Sequence, residues 1–274
     1  MKVLLTNDDG IQATGLNTLR RALLQVPGIE LAVIAPDSNR SATARSITTR
    51  HPLWVEEVEF GDGTTGYATD GTPVDCVRFA ALGLFDFEPE LIVSGINHGS
   101  NVGDDITYSG TVAAALEGIV LGIPAVAVSQ QANRGQLDHA WTGHQWTRES
   151  FETAAAFAAR IVEELEDVPM PEGTLLNVNC PAGQVRGARG CKLGKRIYRD
   201  TLELVEEDDS GRRRYHIYGD SPGYHEEDGT DFAALADGCI AVTPLHFDLT
   251  DQAGIEALSG FDLDGLLRPA AREV

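Results

Sequence analysis

Lysine is scarce in this chain: Lys2, Lys192 and Lys195 are the only three among 21 basic residues. Against them stand 42 acidic residues, a net charge of −21. A polyanion is repelled by nucleic-acid duplexes and anionic membranes, which excludes both as principal partners. A small anionic substrate stays open, because a local site can be positive on a negative protein. Cysteine is sparse as well. Cys76, Cys180, Cys191 and Cys239 form no C-x-x-C and no Cys–His grouping with zinc spacing. Four scattered cysteines in 274 residues do not make a secreted disulfide scaffold. No apolar run reaches the ~18 residues of a membrane span. The opening MKVLLTNDDG carries no secretory apolar region. These absences predict a reduced, cytoplasmic protein. Also missing are G-x-S-x-G, H-E-x-x-H and a Gly-Lys-Ser/Thr P-loop, which argues against the chemistries those motifs serve.

What is present is a globular composition, 42% hydrophobic and 23% charged. Apolar runs at 2–6, 31–35, 91–94, 125–129 and 175–179 alternate with helical patterns at 14–25, 74–84, 111–121 and 147–165. That alternation predicts an α/β fold: a mostly parallel, Rossmann-like sheet covered by helices on both faces. Past residue 190 the character changes. Residues 196–205 and 212–218 read as a long hairpin about the turn-rich 206–211, and 238–245 as another buried strand. A protruding hairpin suits an oligomerisation arm. The expected layout is one α/β domain over 1–274, with a core over about 1–185, a hairpin region over about 190–235, and a last strand and helix over about 236–274.

Three polar stretches follow predicted strands, and ligands of open α/β sheets bind at strand carboxyl ends. Thr6-Asn7-Asp8-Asp9-Gly10 sets two carboxylates side by side. They repel each other, and a hard divalent cation relieves that repulsion; Mg²⁺ and Mn²⁺ favour such oxygen ligands. Ala35-Pro36-Asp37-Ser38-Asn39-Arg40-Ser41 places the hydroxyl of Ser41 and the charge of Arg40 on the same side of the sheet. The stretch from Ser94 through Asn97, His98 and Asn101 to Ser109, Gly110 and Thr111 is glycine-rich and opens a helix, the anatomy of an anion cradle. Histidines 139 and 144 flank Trp141 at a spacing unsuited to one helix face and are read as packing residues; His98 is a candidate for lining the pocket. The acid run 206–209 reads as a solvated turn, and Thr72-Pro73 as a helix start.

The segments LLTNDDGI, APDSNRSA, GTPVDCV, VSGINHGSNVGDDITYSGTVAAALEG and TDFAAL…GCIAVTPLHFDLTD, in this order from residue 3 to about 252, closely resemble the SurE family. The resemblance implies a metal-dependent phosphatase of nucleoside 5′-monophosphates, often with 3′ activity, that assembles as a homodimer or homotetramer through its C-terminal region. It places metal ligands on Asp8, Asp9, Ser41 and Asn97, with one divalent cation, Mg²⁺ or Mn²⁺, per subunit. It places phosphate-binding positions on Asn101, Ser109, Gly110 and Thr111. Asp8 and Asp9 become the catalytic carboxylates, orienting or deprotonating water or attacking directly. Ala42 and Ala44 stand in a loop where many relatives carry glycine, which implies a stiffer loop. A non-enzymatic receiver-like module, which also carries an acidic pair after its first strand, is the alternative. It needs a Lys that this chain lacks between residues 2 and 192.

Overall fold

The computed structural model describes residues 1–132, 145–217 and 223–267. The chain opens with β1 (Lys2–Thr6), α1 (Thr14–Leu23) and β2 (Glu30–Pro36), then β3 (Val55–Glu59), β4 (Thr65–Thr69) and α2 (Pro73–Ala81). Next come β5 (Leu91–His98), α3 (Gly110–Val120), β6 (Ala125–Gln130), α4 (Glu152–Glu163) and β7 (Thr174–Cys180). The last third adds β8 (Gly187–Gly190), β9 (Arg196–Ile197), β10 (Glu203–Glu207), β11 (Arg213–His216), β12 (Gly223–Tyr224), α5 (Asp231–Ala236), β13 (Cys239–His246) and α6 (Gln252–Ser259).

One nine-stranded sheet runs in the order β3-β4-β2-β1-β5-β6-β7-β13-β8. The six strands from β4 to β7 are mutually parallel. β3 is an antiparallel edge on β4, and β13 returns antiparallel along β7. Side chains alternate across each strand. Along β1, Val3 and Leu5 join the cluster under α1 and α4 with Leu16, Leu19 and Phe151, while Leu4 joins the opposite cluster under α2 and α3 with Val77 and Val112. Each such fully buried aliphatic side chain contributes about 1.5–3 kcal/mol. Strand order reverses direction at β1, with β2 on one side and β5 on the other, so the crevice between the ends of β1 and β5 is the switch point where such sheets take ligands.

The helix start at Thr72 is as expected: its hydroxyl accepts from the Asp75 amide, Asp75 returns to the Thr72 amide, and Pro73 occupies the first turn. The helix expected over 147–165 has a 3₁₀ turn at Arg148–Ser150 before α4 begins at Glu152. The predicted hairpin is present with an interruption. β9 pairs with β12 and, nested inside, β10 pairs with β11, leaving 198–202 unpaired between the two. The acid run is half strand and not wholly a turn: Glu206 and Glu207 lie in β10 and pair with Arg214 (3.1 Å) and Arg213 (2.8 Å). No helix among the described residues is long and apolar enough to cross a membrane.

Candidate functional site

β1 ends at Thr6, and the chain turns at once. The Asn7 side chain brackets the turn, its oxygen accepting from the Gly10 amide (3.1 Å) and its amide donating to the Gly10 carbonyl (3.0 Å). Gly10 has φ +106°, a conformation that L side chains resist. Because Asn7 makes the turn, both following carboxylates are released for other work. Asp8 is 3% exposed; its carboxylate accepts the Thr111 hydroxyl, and its main-chain carbonyl accepts the Arg40 amide (2.7 Å). Asp9 accepts the His98 amide (3.0 Å) on one oxygen and the Asn39 side-chain amide (3.2 Å) on the other.

Thr111 stands in the first turn of α3, so Asp8 lies against a helix N-terminus. The fit is close: a Cβ on Gly110 would sit 2.7 Å from the Asp8 Cβ, so this position tolerates no side chain. Ser109 caps the helix, its hydroxyl accepting the Val112 amide (3.1 Å). The first helix amides have no partner within the helix and carry its positive dipole end.

Ser41 is exposed. Its amide donates to Asn39 (2.7 Å), the residue that also holds Asp9. Asn97 is the last-but-one residue of β5, next to His98, whose amide reaches Asp9; the Asn97 side-chain amide donates to the Gly99 carbonyl (2.8 Å), so the end of that side chain suited to a cation is its oxygen. Asn101 is buried within a polar knot. Its amide donates to Asn179 (2.7 Å), its side chain donates to Ser129 (2.8 Å), and its carbonyl receives Asn177 and Asn179 (both 2.9 Å). His98 packs in a three-ring cluster with Trp146 (centroids 5.2 Å) and Phe151 (5.0 Å), which also stack on each other (5.0 Å). Its Nε2 accepts the Gly15 amide (3.3 Å), and its Nδ1 lies 3.8 Å from Asp9. The ring therefore packs beside Asp9. Histidines 139 and 144 and Trp141 lie outside the described residues.

Electrostatically the site is unbalanced. Burial, reinforced by Asp9, pushes the Asp8 carboxyl up to about 7, and burial pushes Asp9 up to about 6. Burial also depresses His98 to about 4, so at neutral pH the ring is uncharged and brings no compensating charge. Among the described residues no Lys or Arg pairs with Asp8 or Asp9. Two adjacent buried acids with neutral oxygens around them and no protein cation form a set of hard oxygen donors for a divalent cation.

Sequence reasoning missed the supports. Asn39 orders Asp9, and its place in a polar loop gave no hint of this. Glu117, 1% exposed on α3, receives Arg45 and Arg78 at 2.6 Å each, and Arg45 also lies over Phe247 (4.5 Å). This ion triad, with the Ala44 amide on the Tyr108 carbonyl (3.2 Å), straps the Ser41 loop to the start of α3. A lone Glu inside an apolar helix was its one visible trace. Ala42 and Ala44 have φ of 59° and 52°, so both adopt the backbone glycine would take freely.

The family model described as "Survival protein SurE" matches residues 3–200. The 5′-nucleotidase SurE of Rubrobacter xylanophilus is 51% identical over 274 residues, covering 97% of this chain and 99% of that protein. The 5′-nucleotidase SurE of Geobacter sulfurreducens is 43% identical over 274 residues, covering 99% and 97%. The crystal structure of the SurE protein from Aquifex aeolicus superposes with a TM-score of 0.77 at 36% identity, over 95% of this chain and 99% of that one. With a family model matched across most of its length, relatives alike from end to end and a solved fold that superposes, this chain belongs to the SurE family.

Proposed function

We propose that this chain is a metal-dependent phosphatase that hydrolyses nucleoside 5′-monophosphates, and 3′-monophosphates as a second class, to nucleoside and phosphate. The observation that carries this reading is the contact between Asp8, one of two adjacent unneutralised carboxylates, and the N-terminus of α3. An acid pair alone repels a phosphate; a helix N-terminus alone holds one without cleaving it. Side by side they form a cation seat next to an anion seat. The relatives are named 5′-nucleotidases, an activity this arrangement suits.

Asp8, Asp9, Ser41 and Asn97 would hold one Mg²⁺ or Mn²⁺. When bound, that ion supplies Lewis-acid stabilisation of the phosphoryl group and a more acidic water. The protein supplies the rest. Ser109, the amides of Gly110 and Thr111, and the Asn101 segment take the phosphate oxygens and meet the charge that builds during transfer. Thr111 fixes the orientation of Asp8, while Asn39 and the His98 amide fix Asp9. The pair orients the attacking water and accepts its proton. The receiver-like alternative fails at the strand end where it needs a lysine: β6 closes on Ser129 and Gln130, and Gln130 is spent on the carbonyls of Gln131, Cys180 and Pro181.

Outside the pocket, a row of exposed apolar side chains on the hairpin (Leu202, Leu204, Val205) and on and after α6 (Leu258, Phe261, Leu267) supports assembly as a homodimer or homotetramer. The four free cysteines fit a reducing cytoplasm.

The test is phosphate release from 5′-AMP, 5′-GMP and 3′-AMP by chelator-treated protein, before and after Mg²⁺ or Mn²⁺ is returned. Turnover restored by metal is expected. No turnover on any ester with any metal would overturn the reading. Ser109→Ala is expected to weaken phosphate binding more than metal binding.

A further inference from the structure

The segment between β5 and α3 carries Asn101 at one end and Ser109 at the other. Its middle is held from the far end of the chain. Asp231, the first residue of α5 and fully buried, accepts the Gly103 amide on one oxygen (2.7 Å) and the Gly194 amide on the other (2.9 Å). Asp105 forms an ion pair with Arg196, both side chains 0% exposed, and accepts the Tyr198 hydroxyl (2.9 Å). Asp104 accepts the Arg196 amide (3.0 Å) and Lys195 (3.1 Å). Phe232 fills the space between: a Cβ on Gly103 or Gly194 would come within 2.5 and 2.3 Å of its ring. Tyr224 stacks on the other side of that ring (4.8 Å).

A fully buried ion pair is a poor stabiliser, because desolvation offsets most of its attraction. What it does well is fix one arrangement, since any other leaves a charge unpaired. Here it fixes a loop built on a six-residue 3₁₀ helix, Gly103–Tyr108, that leads straight into the α3 N-terminus. Precise placement of phosphate donors is where small displacements cost most in catalysis.

We propose that Asp105, Arg196, Tyr198 and Asp231 are positioning residues for the phosphate ester, by which the base of the hairpin sets the geometry of the phosphate cradle. The inference rests on the phosphatase reading above. It makes the base of the hairpin and the start of α5 supports of the site.

The test uses the full-length protein and Tyr198→Phe, which removes one O–H···O bond and keeps the ring. Four quantities are read: KM for 5′-AMP, the competitive Ki of inorganic phosphate, the Kd for Mn²⁺ without phosphate, and amide exchange over residues 101–109. KM and phosphate Ki are expected to rise about fivefold, the low end for coupled sites. The Mn²⁺ Kd stays unchanged, and exchange over 101–109 speeds up. Asp231→Asn, which leaves one acceptor oxygen for three backbone amides (Gly103, Gly194 and Phe232), moves the same quantities further; should it fail to fold, Tyr198→Phe decides alone. Faster exchange with an unchanged phosphate Ki would overturn the inference, reducing the clamp to scaffolding. Equal losses in Mn²⁺ and phosphate binding would overturn it too. A parent protein that releases no phosphate under any condition defeats the phosphatase reading itself, and shows this before any variant is made.

Discussion

The ends of the parallel strands and the C-terminal third break the usual rule of burial in opposite ways. At the strand ends polar groups are buried: Thr6, Asn7, Asp8, Ser94, Ser129, Asn177 and Asn179 are all at most 3% exposed. In the last third apolar groups are out in water: Leu202, Leu249, Leu266 and Leu267 are each at least 69% exposed. Neither departure is free, since buried polarity costs desolvation and exposed hydrocarbon costs hydration. The two point to different kinds of partner. A pocket that buries unpaired acids asks for a small charged ligand; a surface that displays leucines asks for another protein surface.

Four variations test that division, and the largest effect belongs to the pocket. Asp8→Asn is expected to lower kcat/KM at least about a thousandfold, on the scale of losing a catalytic group. Circular dichroism should show an intact fold, because the substitution relieves repulsion in the metal-free protein. Normal turnover in this variant would break the comparison at its polar end. Ile255→Asp with Leu258→Asp probes the apolar end. Both side chains are about half exposed on α6, so the substitutions should lower the oligomer mass in light scattering and leave the sheet folded. An unchanged mass would show that this face is not the assembly surface.

The third variation is pH. Asp8 and Asp9 are raised to about 7 and 6 from 3.8. A raised carboxyl stabilises the fold fully below its unfolded value and loses that contribution as pH rises through its folded value. The metal-free protein should therefore lose stability between pH 5 and 8. Mn²⁺ competes with protons for the same oxygens, so its stabilisation should be greater at pH 8, roughly 5–10 °C in Tm at a hundred times Kd. An equal rise at pH 5 would place the ion elsewhere. The smallest effect is in the Ser41 loop. Ala42→Gly and Ala44→Gly each remove a left-handed alanine and should raise Tm by about 2–4 °C, the equivalent of ~1 kcal/mol.

The parallel sheet was legible because its strands are continuous apolar runs, and the acid pair because two carboxylates directly after a strand have few structural uses. The missed elements share a cause. β3, with the sequence VEEVE, and β8, with GARG, are half or fully exposed edge strands with no apolar run to mark them. α5 is six residues long and lies beneath the pattern lengths that periodicity can resolve. Within the site, the residues that touch a ligand lie in unusual local sequence, whereas those that hold them do not. Asp105 met Arg196 across 91 residues, a contact no local spacing announces. Asn101, which the family resemblance puts among the phosphate-binding positions, is held in a knot of Ser129, Asn177 and Asn179, partners that no local spacing announces.

The place of β13 in the sheet has a consequence for synthesis. It lies between β7 and β8, antiparallel to one and parallel to the other, yet it comes after both and after the whole hairpin. While a ribosome makes this chain, the edge of β7 stands bare until residues 239–246 have emerged, and β8 has nothing in the sheet to pair with. Asp231 is delivered in the same late interval. The acid pair, among the first residues made, therefore waits for almost the entire chain before the loop that leads into α3 is fastened. A truncated product ending before β13 would carry every proposed ligand and still lack the strand that closes the sheet.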